Sequence, residues 1–476
     1  MQEEDCRAFR LSEGAHSVLT MNSENKLYGF SAFDAPGAEL GRRMHSLAAE
    51  LWPINRSLTG SGVRETLDVL KRELPEIVVK SVPSGTECFD WVVPEEWLIS
   101  EAFIENEAGE RIVDFDNNNL HVVGYSIPVD EWFDLEALQE HLHSLSEQPD
   151  AIPYITAYYS RRWGFCLTDK QRQSLPSGRY RAVVRSELRP GVLNYAEAII
   201  AGETDEEILL STYICHPSMG NNELSGPVVM VALGAWLKTL AKRKYTYRLV
   251  FIPETIGSIV YLSKNFPYMK QHTVAGFVVS CIGDDRVYSY LPSRKGGCLA
   301  DVVATHVLNH LAPGYKKYSF LERGSDERQY CSPGIDLPVA SIMRSKYGEY
   351  PEYHTSLDDL SFVTPTGLFG GFSVYKQALQ CLDANCYPRV TVLCEPQLGK
   401  RGLYPTLSTK TSGQEVLAMM NLIAYADGTM SLLDIAEKIG EPMWELLPIA
   451  DRLSQAGLLT KNDGPDVSPA RYRFNS

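Results

Sequence analysis

Histidines and carboxylates set at the ends of apolar runs are the residues of this 476-residue chain whose types and spacing could do chemistry. His216 closes the run 208–215 and is followed by Asn222 and Glu223; Glu254 ends Phe251-Ile252-Pro253; His354 lies in Glu352-Tyr353-His354-Thr355-Ser356. Two neutral imidazoles with one oxygen donor suit a zinc ion, and a carboxylate not used in ligation can take a proton from water. Long gaps separate these residues, so the site would be assembled from strand ends, unlike a local H-E-x-x-H helix motif. Each residue also has a plainer reading. His216-Pro217 can end a strand, Glu254 can sit at a helix amino terminus where the macrodipole favours an acid, and Asn222 can cap the helix that follows.

For those groups to meet, the elements must present them at one edge. Residues 208–215 form a short apolar, β-branched run that reads as a buried strand, and 226–239 reads as a helix apolar almost all round. Strand-like runs at 248–253, 276–281 and 339–344 alternate with helices after Ser225, near Gly257 and over 298–311. This alternation predicts an α/β fold with a mainly parallel sheet flanked by helices, in which strand ends and helix amino termini converge on one crevice. Upstream, 41–74 predicts two helices joined by a loop at 53–60. Residues 78–134 alternate and carry aromatics and turns, predicting an inserted small β domain. Residues 135–145 read as a short helix, and 180–185 and 196–201 as strands leading to the His216 strand. The aromatic group Tyr158, Tyr159, Trp163 and Phe165 reads as the core of a β domain, with ring stacking on a ligand as the lesser option. Residues 412–460 give three short helical patterns with a break at Gly440, the pattern of a winged helix-turn-helix. The expected domains are 37–77 with 135–388 as the α/β core, 78–134 as the insert and 389–476 as the winged helix; residues 1–36 show no strong periodicity.

A net charge of −15 and a pI near 5.2 repel phosphate backbones and anionic lipids. The candidate recognition helix, 441–456, carries Glu441, Glu445 and Asp451 against Arg452, where a groove reader should be basic. Neither nucleic acid nor a membrane surface is therefore an expected partner. The ten cysteines contain no C-x-x-C pair and several lie in apolar runs, which predicts a reduced, cytoplasmic protein. Residues 1–25 lack a signal-type apolar core, and no stretch is long enough to span a bilayer.

The order of the pieces resembles the zinc aminopeptidases of the M28 family. The segments that carry this are Cys215-His216-Pro217-Ser218-Met219, Asn222-Glu223-Leu224-Ser225-Gly226-Pro227, Pro253-Glu254-Thr255-Ile256-Gly257-Ser258, Ser325-Asp326-Glu327-Arg328 and Tyr350-Pro351-Glu352-Tyr353-His354-Thr355-Ser356. More closely, the chain resembles bacterial aminopeptidase-like proteins that combine a diverged domain of that type with an inserted small β domain and a carboxyl-terminal winged helix. The resemblance implies that His216 and His354 are the first and last histidine ligands and Glu254 the general base. It also places Asn222, Thr255 and Ser280 where the family has carboxylate ligands. A two-metal site needs those anionic oxygens, so the expectation is one zinc per chain, held by His216, His354 and an oxygen of Asn222 or Glu223.

Further roles follow by position. Asp326 could orient a histidine or contact substrate, Arg328 could hold an anionic substrate group, and Tyr353 could donate to the oxyanion. The implied activity is amide hydrolysis on a small peptide or N-acyl compound. The competing expectation is a non-catalytic binding or scaffold protein on a degenerate peptidase fold. The two appended units could narrow the pocket or build a homo-oligomer.

Overall fold

The structure is a computed structural model that describes residues 37–403 and 410–465. The expectations for residues 1–36, and the part of the winged-helix domain over 404–409 and 466–476, lie outside the described residues.

A large sheet of eight strands forms the centre, in the order Val78–Pro83, Val192–Ile200, Thr246–Ile252, Glu207–Tyr213, Thr273–Val278, Val339–Met343, Ser289–Leu291 and Lys316–Lys317. Its four middle strands, from Thr246–Ile252 to Val339–Met343, run parallel. Antiparallel strands flank them on either side. The Glu207–Tyr213 strand is buried at every position, which is why it reads as a continuous apolar run with no alternation.

Helices cover both faces. In Gly37–Leu51 the buried residues Leu40, Met44, Leu47, Ala48 and Leu51 repeat at helical spacing and form one stripe. That helix packs on Pro365–Ala384 and on Ser225–Thr239. The latter lies between the sheet and other helices, and its residues Ser225 to Leu237 are all buried, so it has almost no polar face. Gly226 permits the close approach: a Cβ there would meet Thr212 Oγ1 at 2.2 Å and the Val279 carbonyl oxygen at 2.4 Å.

The small β unit differs from the expected span of 78–134. Val78–Pro83 belongs to the large sheet, paired from Val78↔Glu197 to Pro83↔Val192. A separate antiparallel sheet, ordered Arg111–Asp114, Glu96–Asn106, Arg179–Arg189, Val129–Asp134, draws a central strand from beyond residue 135. Strand partners so distant in sequence leave no local signal, whereas hairpins do. The expected helix at 135–145 is confined to Leu135–Leu138 and the 3₁₀ turn Gln139–His141.

At the carboxyl end, helices Lys410–Tyr425, Leu432–Ile439 and Met443–Gln455 are followed by Leu459–Asn462, which pairs antiparallel with Tyr387–Val390. Gly440 ends its helix in the left-handed conformation (φ 73°). The module docks on the core through His306 of the Leu299–Leu311 helix, whose Nε2 accepts from the Met443 backbone N–H at 2.9 Å. Its Nδ1 donates to the Glu437 carboxylate. His306, His310 and Glu437 lie close enough together to hold an ion, but the one lone pair of this imidazole is already used, so the contact is a dock between domains. No helix among the described residues is long and apolar enough to cross a membrane.

Candidate active site

The parallel strands aim their carboxyl ends at one edge, and the candidate residues lie just beyond them. His216 follows Tyr213 by three residues, Glu254 follows Ile252 by two and Ser280 follows Val278 by two. The backbone here is held in conformations that non-glycine residues rarely adopt: φ is 44° at Ser218, 65° at Thr255, 50° at Cys281 and 55° at His354. Such outliers persist only where surrounding packing enforces them, and these four gather around the carboxyl edge of the sheet, the edge at which open α/β sheets bind ligands.

His216, His354 and Glu254 line one cleft of about 330 Å³ together with Cys215, Tyr154 and Thr255. The two imidazole rings are 5.3 Å apart between centroids. His216 is 4% exposed; its Nδ1 lies 2.9 Å from Glu223 Oε2, and its Nε2 lies 3.7 Å from Glu254 Oε2. With a carboxylate against Nδ1, that nitrogen keeps its proton, and Nε2 is the ring nitrogen on the Glu254 side. Burial alone would lower the His216 pKa, but the Cys215 sulfur and the Glu223 carboxylate outweigh it and hold it well above the ordinary value. Burial and the neighbouring His216 push His354 down to about 3. Its Nε2 is buried with no hydrogen-bond partner. Glu254 accepts from Ser325 Oγ at 2.7 Å, and burial raises its pKa.

Glu223 lies on the Nδ1 side of His216, where its carboxylate orients the ring. Its other oxygen lies 3.6 Å from Nε of the fully buried Arg56. Cys215, His216 and Glu223 also offer ligand atoms close enough together to hold an ion. The Asn222 amide nitrogen donates to the Tyr213 hydroxyl at 2.6 Å, and its Oδ1 is buried without a partner. Thr255 Oγ1 accepts from Arg328 Nη2 at 2.8 Å, which puts a guanidinium where the resemblance has a carboxylate ligand. A second cation does not fit beside it.

The residues expected to contact substrate are placed behind the cleft. Asp326 is fully buried and accepts from the Thr255 N–H and Ser258 Oγ, both at 2.8 Å. Burial and Glu254 raise its pKa to about 7. Arg328 is tied to Thr255 and to the Ser325 carbonyl. Tyr353 stacks on His354 at 3.9 Å between centroids. All three hold the loops that carry Glu254 and His354.

Three residues at the site were not singled out in the sequence. Arg56 donates through Nε to the His216 carbonyl at 3.0 Å and through Nη1 to that of Leu51 at 2.6 Å. Its only signal was a charge inside an otherwise uncharged turn. Tyr154 packs against His216 and His354, with centroids 5.2 and 5.1 Å away, and its N–H donates to the His354 carbonyl at 2.8 Å. Tyr213 ends the strand as one more apolar residue, yet its hydroxyl holds Asn222.

Known proteins give this geometry a context. Residues 45–385 match the family described as a domain of unknown function, DUF4910, and 385–461 match a winged helix-turn-helix family. A Clostridium acetobutylicum protein is 42% identical over 89% of this chain and 97% of its own length; its name assigns it provisionally to polysaccharide biosynthesis, with an aminopeptidase-like domain. A crystal structure from the same organism, described provisionally as a peptidase, superposes with a TM-score of 0.84 at 41% identity, over 89% of this chain and 97% of the other. A zinc aminopeptidase from Bacillus subtilis aligns at a TM-score of 0.54 and 11% identity, over 72% of this chain and 94% of that one. A peptidase M28 precursor from Shewanella amazonensis aligns at 0.51 and 12%, over 73% and 96%. The last two show a shared aminopeptidase fold. The chain therefore belongs to the DUF4910 family, built as an aminopeptidase-like α/β domain that carries a winged helix-turn-helix at its carboxyl end.

Proposed function

We propose that this protein is a peptidase-like hydrolase of small acyl amides, with Glu254 as the proton-transferring base and one zinc ion per chain. The observation that carries this reading is Glu254 Oε2 at 3.7 Å from His216 Nε2, with the orphaned Nε2 of His354 beside the same cleft. The unpaired His354 Nε2 and Asn222 Oδ1, with His216 Nε2 once it gives up its proton, are the donors that would hold the ion. Glu223 fixes the ring of His216, as carboxylates do for ligating histidines. A zinc ion so held supplies Lewis acidity to an amide carbonyl. Glu254 removes the proton of the attacking water and returns it to the leaving nitrogen, and Ser325 holds its carboxylate in place.

The chemistry of the cleft favours an N-acyl substrate over a free amino terminus. Glu254 is the one carboxylate among the residues that line it, and a substrate ammonium would need another to pair with. The naming of the Clostridium acetobutylicum relative for polysaccharide biosynthesis supports the same choice, since an N-acylamino sugar is a small neutral amide.

The test is elemental analysis of the purified full chain followed by a screen of N-acetyl compounds and aminoacyl amides. About one zinc per chain, with turnover that Glu254→Gln abolishes while zinc is retained, supports the reading. A folded chain that binds N-acyl compounds without zinc or turnover would instead be a binding protein, as the guanidinium beside Thr255 allows.

A further inference from the structure

Two large aromatic side chains stand in water at the mouth of the cleft. Trp91 is 39% exposed and Tyr159 56% exposed, and both line the cleft that holds His216 and Glu254. Their rings meet edge to face with centroids 5.7 Å apart. Trp91 is carried by a short hairpin in which Cys88 pairs with Trp91 and Glu87 with Val92, across a turn that holds Phe89 at φ 56°. Tyr159 sits at φ 61°, and its hydroxyl donates to the Val92 carbonyl at 3.3 Å. The two segments are thus tied together by a contact that neither sequence stretch requires alone. Left-handed backbone at a tyrosine is strained, and here the strain holds an aromatic ring outward. Deeper in, Tyr158 and Tyr154, joined through their hydroxyls at 3.0 Å, continue the aromatic wall to His216. Among the described residues, no lysine or arginine lines this cleft.

We propose that Trp91 and Tyr159 form a platform that recognises an uncharged ring joined to the acyl amide, so that the Trp91 hairpin and the turn that bears Tyr159 set substrate choice and the α/β core does the chemistry. The proposal rests on the amide-hydrolase reading above. An aromatic face and edge bind the flat apolar face of a pyranose or of an aromatic ring without stripping water from a charge. An anionic ring substituent would find no lysine or arginine among the described lining residues to pair with.

The experiment is a ligand-observed NMR titration of the full chain carrying Glu254→Gln, which removes turnover and leaves binding to be read. The probes are N-acetylglucosamine, N-acetylphenylalaninamide and the ringless N-acetylglycinamide. At least one ring probe should bind more tightly than the ringless one, and whichever does so identifies the ring as pyranose or aromatic. Trp91→Ala should weaken that probe roughly 3- to 10-fold and leave N-acetylglycinamide unchanged, whereas Trp91→Phe should retain most of the binding. Tyr159→Leu, which keeps bulk and removes the ring, should weaken the same probe should the hairpin not tolerate Trp91→Ala. Ring probes that bind no better than N-acetylglycinamide, or variants that weaken all three equally, overturn the platform. Ring-dependent binding in a chain that never hydrolyses an amide sustains the platform and counts against the hydrolase reading alone.

Discussion

Glu223 and Glu254 meet His216 at different ring nitrogens: one carboxylate is 2.9 Å from Nδ1, the other 3.7 Å from Nε2. That division separates an orienting acid from a reacting one within a single imidazole's reach, and it makes the two carboxylates experimentally distinguishable. Glu223→Gln should weaken zinc binding or turnover about 10- to 100-fold while leaving Glu254 in place. Zinc titration of the variant checks this, and an unchanged zinc affinity would remove Glu223 from the orienting role.

His216→Ala and His354→Ala should each lose bound zinc, because two imidazole nitrogens and one amide oxygen leave no spare ligand. Asn222→Asp should raise affinity, since a carboxylate is a better donor than an amide oxygen. Metal content measured across the three variants decides the ligand set. Retention of zinc by His354→Ala would exclude that residue.

Gly226→Ala should destabilise the chain by about 1–3 kcal/mol, the usual cost of overpacking a close contact. The new Cβ would meet the Val279 carbonyl oxygen at 2.4 Å, and backbone cannot swing aside as a long side chain can. Urea unfolding should show a lower midpoint with an unchanged slope. Because Gly226 opens the helix behind His216, activity should fall with stability.

His121 provides a pH test away from the cleft. Burial lowers its pKa, and its Nδ1–H donates to the Cys166 carbonyl at 2.8 Å. The unfolded chain therefore takes up this proton first as pH falls below about 6.5, so this contribution is intact above that value and lost on acidification. Denaturation midpoints measured between pH 7.5 and pH 5, at roughly half-unit steps, should fall less in His121→Asn than in the unchanged chain. Equal slopes would assign the acid sensitivity to other groups.

The winged helix should not read duplex DNA in this chain. Recognition helices present their amino-terminal residues to base edges, and here the first residue of the Met443–Gln455 helix is bonded to His306, with Trp444 packed edge-on against His306 and His310. A gel-shift series at low and moderate salt should show no binding by the full chain. A shifted band that disappears steeply with salt would reverse the expectation.

Local pattern by itself determined the α/β alternation of the core, the three helices of the carboxyl module and the placement of His216 and Glu254 beside strand ends; His354, expected at a strand end, lies instead in a turn well beyond Met343. The resemblance to the zinc aminopeptidases added that Asn222, Thr255 and Ser280 stand where that family has carboxylates, which argues against a two-metal site. Periodicity reports which residues face a core, so it carries that much. Only the tertiary structure decided which nitrogen of His216 Glu223 takes, that Arg328 lies beside Thr255, and that Arg56, Tyr154 and Tyr213 belong to the site. It also divided the 78–134 stretch between two sheets by pairing its strands with Val192–Ile200 and Arg179–Arg189. Those facts depend on antiparallel pairings and side-chain directions between segments up to a few hundred residues apart. No periodicity within one segment encodes such contacts, because they are fixed only when the whole core closes.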